Sequence, residues 1–236
     1  MISKVSQPRL KAFRFPRSII SYAVWAYHRF ALSLRDLEDL LVERGVSVSY
    51  ESIRVWCQRF RTLIAAKIRH NRPVPADKWH LDEVVISVRG RKHWLWRAVD
   101  ANGDVLEILM QSRRNAHAAK RFLMKLMKRW GVPRALVTDK LRSYGVAVRD
   151  LCPSVDHRSH KGLNNRSEAS HRPTRRREKI MGRFKSPHHA QRFLSVDDQT
   201  ATIFRPKRHR LSAASYRQSR ADAFSLWNNY AAEIAA

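Results

Sequence analysis

Between Trp79 and Thr138 the hydrophobic period switches from two to near four and back, and this restricts the fold more than any other feature. Residues 79–88 (WHLDEVVISV), 93–100 (HWLWRAVD) and 105–111 are rich in β-branched and aromatic residues and read as strands. Arg89-Gly90 separates the first two; Asn102-Gly103, a strong hairpin signal, separates the second and third. From Asn115 the spacing becomes helical. Ala119, Phe122, Leu123, Leu126, Met127 and Trp130 share one face, and Gly131-Val132-Pro133 stops the helix. The apolar run Ala135–Thr138 then reads as a buried strand, reached by a helical crossover and so parallel to the first. A short helix near 141–150, a weak strand near 155–159 and a helical stretch over 166–181 follow. Three antiparallel strands, a crossover helix and a parallel fourth strand are the order of the ribonuclease-H-like α/β fold.

The residues ahead of this region have helical spacing. Ile20, Ala23, Val24 and Tyr27 mark a helix near 17–30. Ser33 offers an N-cap with Asp36 as the capping-box acid, and Leu34, Leu37, Leu40 and Leu41 follow as an apolar stripe. Gly45 is placed to end this second helix, and Ser49 to start a third. Ile53, Trp56, Cys57 and Phe60 face inward on that helix. Glu51, Arg54, Gln58 and Arg61 fall together on its opposite face. A short turn between helices, the second with an outward Arg/Gln stripe, is the geometry of a DNA-reading helix-turn-helix, so Arg54, Gln58 and Arg61 are expected to contact DNA. Asn71-Arg72-Pro73-Val74-Pro75 fixes an extended path and places a domain boundary there. The expected organisation is a helix-turn-helix unit over 1–72 and a catalytic-type α/β domain over 73–236. In the basic C-terminal extension of the second domain, Phe224, Leu226, Trp227 and Tyr230 form either a core-docking or a subunit-contact helix.

Charge narrows the class of partner. The 236-residue chain has 47 Lys+Arg against 20 Asp+Glu, a net charge of +27. Its 44% hydrophobic content is enough for a packed core. Self-repulsion on this scale is relieved by a polyanion, and nucleic acid fits best. The positive charge is concentrated in residues 1–17 (Lys4, Arg9, Lys11, Arg14, Arg17), in 172–185 (with Arg175 and Arg176) and in Arg205–Arg210. No apolar run approaches the roughly 20 residues of a membrane span, and MISKVSQPRLKAF lacks the apolar stretch of a secretory signal. Two cysteines, Cys57 and Cys152, exclude a disulfide framework and a four-cysteine zinc site.

Within this basic chain a few carboxylates are placed for chemistry. Asp82 lies in the first strand and Asp139 just after the fourth, where sites form beyond the carboxyl ends of parallel strands. Side chains alternate along a strand, so Asp82 and Glu83 should point to opposite faces, and only one is expected to share a site with Asp139. Glu168, following Asn164-Asn165, supplies a third carboxylate. Such a set suits two Mg²⁺ ions about 4 Å apart acting on a phosphodiester.

As an ordered set, several motifs resemble the DDE transposases of insertion sequences, in particular the insertion-sequence-six family. They are Trp79-His80-Leu81-Asp82-Glu83, Ser112-Arg113-Arg114-Asn115, Thr138-Asp139-Lys140 with Tyr144-Gly145, Asp156-His157-Arg158, Asn164-Asn165-Arg166-Ser167-Glu168 and Arg183-Phe184-Lys185-Ser186. The resemblance runs from about residue 15 to 230. It implies a retroviral-integrase-like catalytic core behind a helix-turn-helix. The implied activity is Mg²⁺-dependent cleavage and strand transfer at the element's terminal inverted repeats, replicative and cointegrate-forming, with Mn²⁺ as a substitute ion. Asp82, Asp139 and Glu168 match the catalytic and metal-binding triad, and Arg175 the basic residue seven positions after the glutamate. The implied partners are double-stranded DNA, both terminal repeat and target, and further copies of the chain on that DNA. The implied location is the prokaryotic cytoplasm, at the nucleoid.

Two features set the chain apart within that pattern. Only 28 residues lie between Asp139 and Glu168, a short interval, and Pro173 falls within the glutamate helix, where it is expected to kink or end the first segment. A non-catalytic DNA-binding regulator would also account for the charge and the helix-turn-helix, but it leaves the ordered carboxylates unexplained. A nuclease of the same fold would share them.

Overall fold

In a computed structural model, residues 13–160, 165–182, 184–204 and 211–235 are described, except the side chains of 165–170, 234 and 235. The chain divides into two compact units. One comprises residues 1–72 together with 196–236, the other residues 73–195.

The second unit is built on a five-stranded sheet of β1 (Lys78–Val88), β2 (Arg91–Asp100), β3 (Val105–Gln111), β4 (Ala135–Thr138) and β5 (Asp156–Ser159). Their order is β3-β2-β1-β4-β5, with β1–β2 and β2–β3 antiparallel and β1–β4 and β4–β5 parallel. This is the ribonuclease-H-like sheet. The β1–β2 hairpin turns on Arg89 and Gly90, both at positive φ (49° and 77°), as a two-residue turn with matching twist requires. Helix α4 (Ala116–Trp130) is the crossover. The Asn115 side chain caps it by accepting the N–H of Ala118 at 3.0 Å.

Ala119, Phe122, Leu123 and Leu126 of α4 are fully buried against Trp79 and Leu81 of β1, Trp96 of β2 and Leu106 of β3. Helix α5 (Arg142–Leu151) adds Tyr144, Ala147 and Val148 to the same core. Trp96 lies there edge-on to Tyr144. Helix α6 (Asn165–Ile180) contacts β1 and β2. It continues through Pro173, so the helix does not end at its first segment. Cys152 is buried and free, as is Cys57 of the first unit.

The first unit contains α1 (Arg17–Arg29), α2 (Leu34–Glu43) and α3 (Tyr50–His70). Ser33 and Asp36 form a reciprocal capping box, with bonds of 3.0 and 2.8 Å. Gly45, at φ 75°, follows α2. The end of α7 (Pro187–Phe204) and all of α8 (Ala213–Ala235) also belong to this unit, which corrects the expected assignment of residues 196–236 to the α/β domain. The reason is apolar burial. Ala223, Trp227 and Tyr230 of α8 are buried at helical spacing, and Trp227 Nε1 donates to Ser21 Oγ of α1 at 2.9 Å. Trp25 packs on Phe204 and Phe224.

A second correction concerns the outward stripe of α3. Arg54 and Gln58 are exposed, with Arg54 paired to Glu51, but Arg61 is buried rather than on the outward stripe. Phe60 and Ile64, which flank Arg61 in sequence, line a small cleft with Arg17, Ile20 and Ala231. Helices α1 and α8 both contact α3. Lys4, Arg9, Lys11, Arg183 and the block Arg205–Arg210 lie outside the described residues. Among those described, no helix is long and apolar enough to cross a membrane.

Candidate active site

The strand β4 is short, and this creates the site. β4 pairs with β1 only from Lys78–Ala135 to His80–Val137, so beside Asp82 and Glu83 that edge of β1 has no strand partner among the described residues; farther along, an isolated bridge joins Val88 to Phe184. Asp139 leaves the end of β4 at this level. Its Oδ1 accepts the N–H of Leu141 at 3.0 Å, and its carbonyl oxygen accepts hydroxyl bonds from Thr138 and Ser159. The loop is therefore fixed from both sides. His157, beside it, meets Thr138 Oγ1 at 2.9 Å, and burial pushes its imidazole below the usual value.

Asp82, Glu83 and Asp139 form one cluster. Each offers a carboxylate oxygen, and these oxygens lie within 4.8 Å of one another. The expected alternation along β1 holds. Trp79 and Leu81, on the face Glu83 shares, pack with α4 and α5, whereas Asp82 meets α6. The conclusion drawn from it, that only one of the two acids shares a site with Asp139, is corrected. At an uncovered strand edge, carboxylates from both faces reach around the backbone and converge.

Three neighbours organise this charge. Two unit charges about 5 Å apart repel by roughly 3 kcal/mol at an effective dielectric near 20, so the cluster needs a counter-charge. Arg114 supplies one: Nε and Nη2 reach Glu83, and Nη2 lies 3.3 Å from Asp139 Oδ2. Its guanidinium sits 5.0 Å from the centre of the Trp94 ring. Tyr144 donates its hydroxyl to Glu83 Oε2 at 2.9 Å. Burial holds the Glu83 carboxyl above its ordinary value; the Tyr144 hydrogen bond and Arg114 oppose this, and Asp139 adds to it. Burial and Glu83 push the Tyr144 hydroxyl well up, so it remains a donor. Asp82 has its own pair of partners: Oδ1 accepts the N–H of Glu83 at 2.9 Å, and Oδ2 meets His171 Nε2 at 3.1 Å.

The donor set suits a hard divalent cation. All three side chains offer carboxylate oxygen, the ligand type of Mg²⁺ and Mn²⁺, and Asp82 and Asp139 each keep part of their surface open. Glu168 lies on α6 three residues before His171, and its side chain is outside the described residues. Arg175 and Arg176 are exposed on the same helix, with Arg175 bonded to Glu178 at 3.1 Å. Arg114, Tyr144 and His171 were not assigned roles from sequence. Their signals are the Ser112–Asn115 and Tyr144-Gly145 motifs, and the three-residue step from Glu168 to His171.

Comparison with known proteins bears on the same region. The sequence model of a family described as a DDE domain matches residues 76–205. The transposase for insertion sequence-like element IS431mec of Staphylococcus aureus is 32% identical over 164 residues, covering 67% of this chain and 73% of that protein. The S. aureus transposase for insertion sequence element IS257 in transposon Tn4003 matches to the same extent. Among solved structures, the HTLV-2 integrase catalytic core domain in complex with magnesium aligns over 56% of this chain and 88% of its own, with a TM-score of 0.41 and 14% identity. The BIV integrase catalytic core domain aligns over 63% and 99%, with a TM-score of 0.39 and 14% identity.

The Tyr144–Glu83 bond has a measurable consequence. Tyr144→Phe leaves a buried carboxylate short of a donor and lowers stability by about 1–3 kcal/mol near neutral pH, read by urea denaturation. A carboxyl held above its unfolded value contributes stability in acid that is lost as pH rises through the raised value. Losing the Tyr144 donor raises it further, so the deficit is larger near pH 8 than near pH 4.

Proposed function

The chain belongs to the insertion-sequence-six family of DDE transposases, and we propose that it cuts and joins DNA at the terminal inverted repeats of its element, using divalent cations held by Asp82, Asp139 and Glu168. The convergence of Asp82 and Asp139 where β4 ends is the observation that carries this reading. When bound, two Mg²⁺ ions, or Mn²⁺ in their place, supply activation of the attacking oxygen and stabilisation of the leaving oxygen in phosphodiester displacement.

The protein's own part is placement. Asp82 on β1 and Asp139 beyond β4 are held by sheet register and by the hydrogen bonds described above. Glu168, three residues before His171 on α6, is the third carboxylate of the proposed set. Arg114 balances Glu83, which leaves Asp82 and Asp139 as the more open carboxylates. One site then serves two successive reactions: water releases a 3′-hydroxyl at the element's end, and that hydroxyl attacks target DNA. The product is a cointegrate formed by replicative transposition.

Binding is assigned to the cationic surfaces. A charge of +27 favours the DNA backbone through counterion release, and exposed Arg175 and Arg176 on α6 lie on the helix of Glu168, suited to hold phosphates beside the site. Arg54 and Gln58, exposed on α3, are the groups that read base edges. Arg61, being buried, is not among them. The protein acts as a homo-oligomer on its DNA, in the cytoplasm of a prokaryote at the nucleoid.

Asp82→Asn, Asp139→Asn and Glu168→Gln each abolish Mg²⁺-dependent cleavage and joining of labelled terminal-repeat DNA while leaving binding of that DNA, followed by gel shift, largely intact. Because the three act as a unit, the triple variant is scarcely worse than any single one. Near-normal cleavage by Glu168→Gln would remove Glu168 from the ligand set. Specificity is tested separately. Arg54→Ala reduces the preference for terminal-repeat over random DNA by roughly 1–3 kcal/mol, whereas Arg176→Ala weakens both DNAs alike. Equal loss of both DNAs in Arg54→Ala would show that α3 only grips the backbone.

A further inference from the structure

Helix α6 is docked in an unusual way. A helix normally binds its sheet through an apolar stripe. Between Asn165 and Ile180 this one has Ala169, Pro173 and Ile180 as its apolar residues, and Ile180 is exposed. Among the described residues, its hydrogen bonds to the sheet fall at helical spacing. His171 Nε2 meets Asp82 Oδ2 at 3.1 Å, Thr174 Oγ1 accepts from Arg97 Nη2 at 2.7 Å, and Glu178 Oε1 accepts the N–H of Ser87 at 3.0 Å. His171 is 8% exposed, and Thr174 and Arg97 are each 1% exposed. Polar contacts sealed from water in this way are strong only when their geometry is met, so they fix the register of α6 on β1 and β2 more sharply than an apolar stripe would.

One of these contacts falls on a carboxylate of the active site. Asp82 accepts one hydrogen bond at each oxygen, from the Glu83 N–H at Oδ1 and from His171 at Oδ2. Two donors from different elements fix its rotamer, and each oxygen retains lone-pair capacity for a cation. The other ring nitrogen, Nδ1, is buried with no hydrogen-bond partner among the described residues, so the contact with Asp82 is the ring's polar task. His171 also stands three residues after Glu168 on the same helix.

We propose that His171 is a positioning residue for the cation site. It sets the Asp82 carboxylate and, through that bond, the register between the helix of Glu168 and the strand of Asp82. Carboxylates from two elements are thereby arranged before a cation arrives. This rests on the reading of Asp82 as a cation ligand. His171 is not itself a ligand, because its Nε2 is engaged with Asp82 and Mg²⁺ and Mn²⁺ favour oxygen. Partners of this kind typically change metal affinity 10–100-fold when removed.

The test is Mn²⁺ binding to the full chain without DNA, measured by isothermal titration calorimetry. His171→Phe keeps a ring and removes the donor; it should weaken Mn²⁺ binding about 10–100-fold. His171→Gln returns an N–H near the position of Nε2 and should recover most of the affinity. His171→Asn has the same amide one carbon shorter and should not. This amide pair keeps the comparison available if the Phe variant fails to fold. Phe or Asn variants binding Mn²⁺ within about twofold of the unchanged protein would overturn the proposal, as would a Gln variant as weak as Asn. Asp82→Asn separates the two claims. If it binds Mn²⁺ normally, the reading of Asp82 as a ligand fails. If it binds weakly while His171→Phe and His171→Asn bind normally, only the role of His171 fails.

Discussion

Mutual repulsion of carboxylates at one strand edge is the constraint from which the arrangement of this site follows. Asp82, Glu83 and Asp139 would not stay within 4.8 Å of one another on a flexible chain. The sheet forces them together: β1 and β4 are parallel neighbours with fixed register, and β4 stops just where the acids of β1 begin. The core on the α4 side, with Trp79, Leu81, Trp96, Phe122 and Tyr144, is fully packed and holds this register. Tyr144 belongs to that core and also donates to Glu83, so packing and electrostatics meet in one side chain. Arg114 answers the remaining charge with a fork that touches two carboxylates, which a lysine could not reproduce.

The opposite face of the sheet works by other means. There the described residues of α6 make hydrogen bonds to the sheet, and each bond involves a buried or half-buried group. Such a helix is positioned with little tolerance. Its outward surface is left free for positive charge, and Arg172, Arg175, Arg176 and Lys179 are all exposed. On the proposed function, one short helix brings a carboxylate to the cation and arginines to a phosphate.

Much of this was legible from residue order. Hairpin turns at Arg89-Gly90 and Asn102-Gly103, the apolar face of α4 and the four-residue strand Ala135–Thr138 all follow from local rules, and the sheet order follows from them. What local rules missed arises from packing between distant segments. Arg61 lies on the outward stripe by helical phase, yet in the folded unit it is buried. The destination of α8 itself was open, because its aromatic residues specify burial but not against what. Glu83 was set apart by strand alternation, a rule that assumes flanking strands on both sides; at the end of β4 that assumption lapses. Pro173 was expected to kink α6 or end its first segment; the helix does not end there, and the next residue, Thr174, is bonded to buried Arg97.

In the proposed function a divalent cation is held at the edge of β1 beside Asp139. The most direct measurement is the location of Mn²⁺ by its anomalous scattering in a crystal of the protein. Ion density bridging Asp82 and Asp139, with Arg114 retained on Glu83, is the predicted result. Bound Mn²⁺ elsewhere on the chain, with the Asp82 and Asp139 carboxylates making no contact to it, would contradict the account.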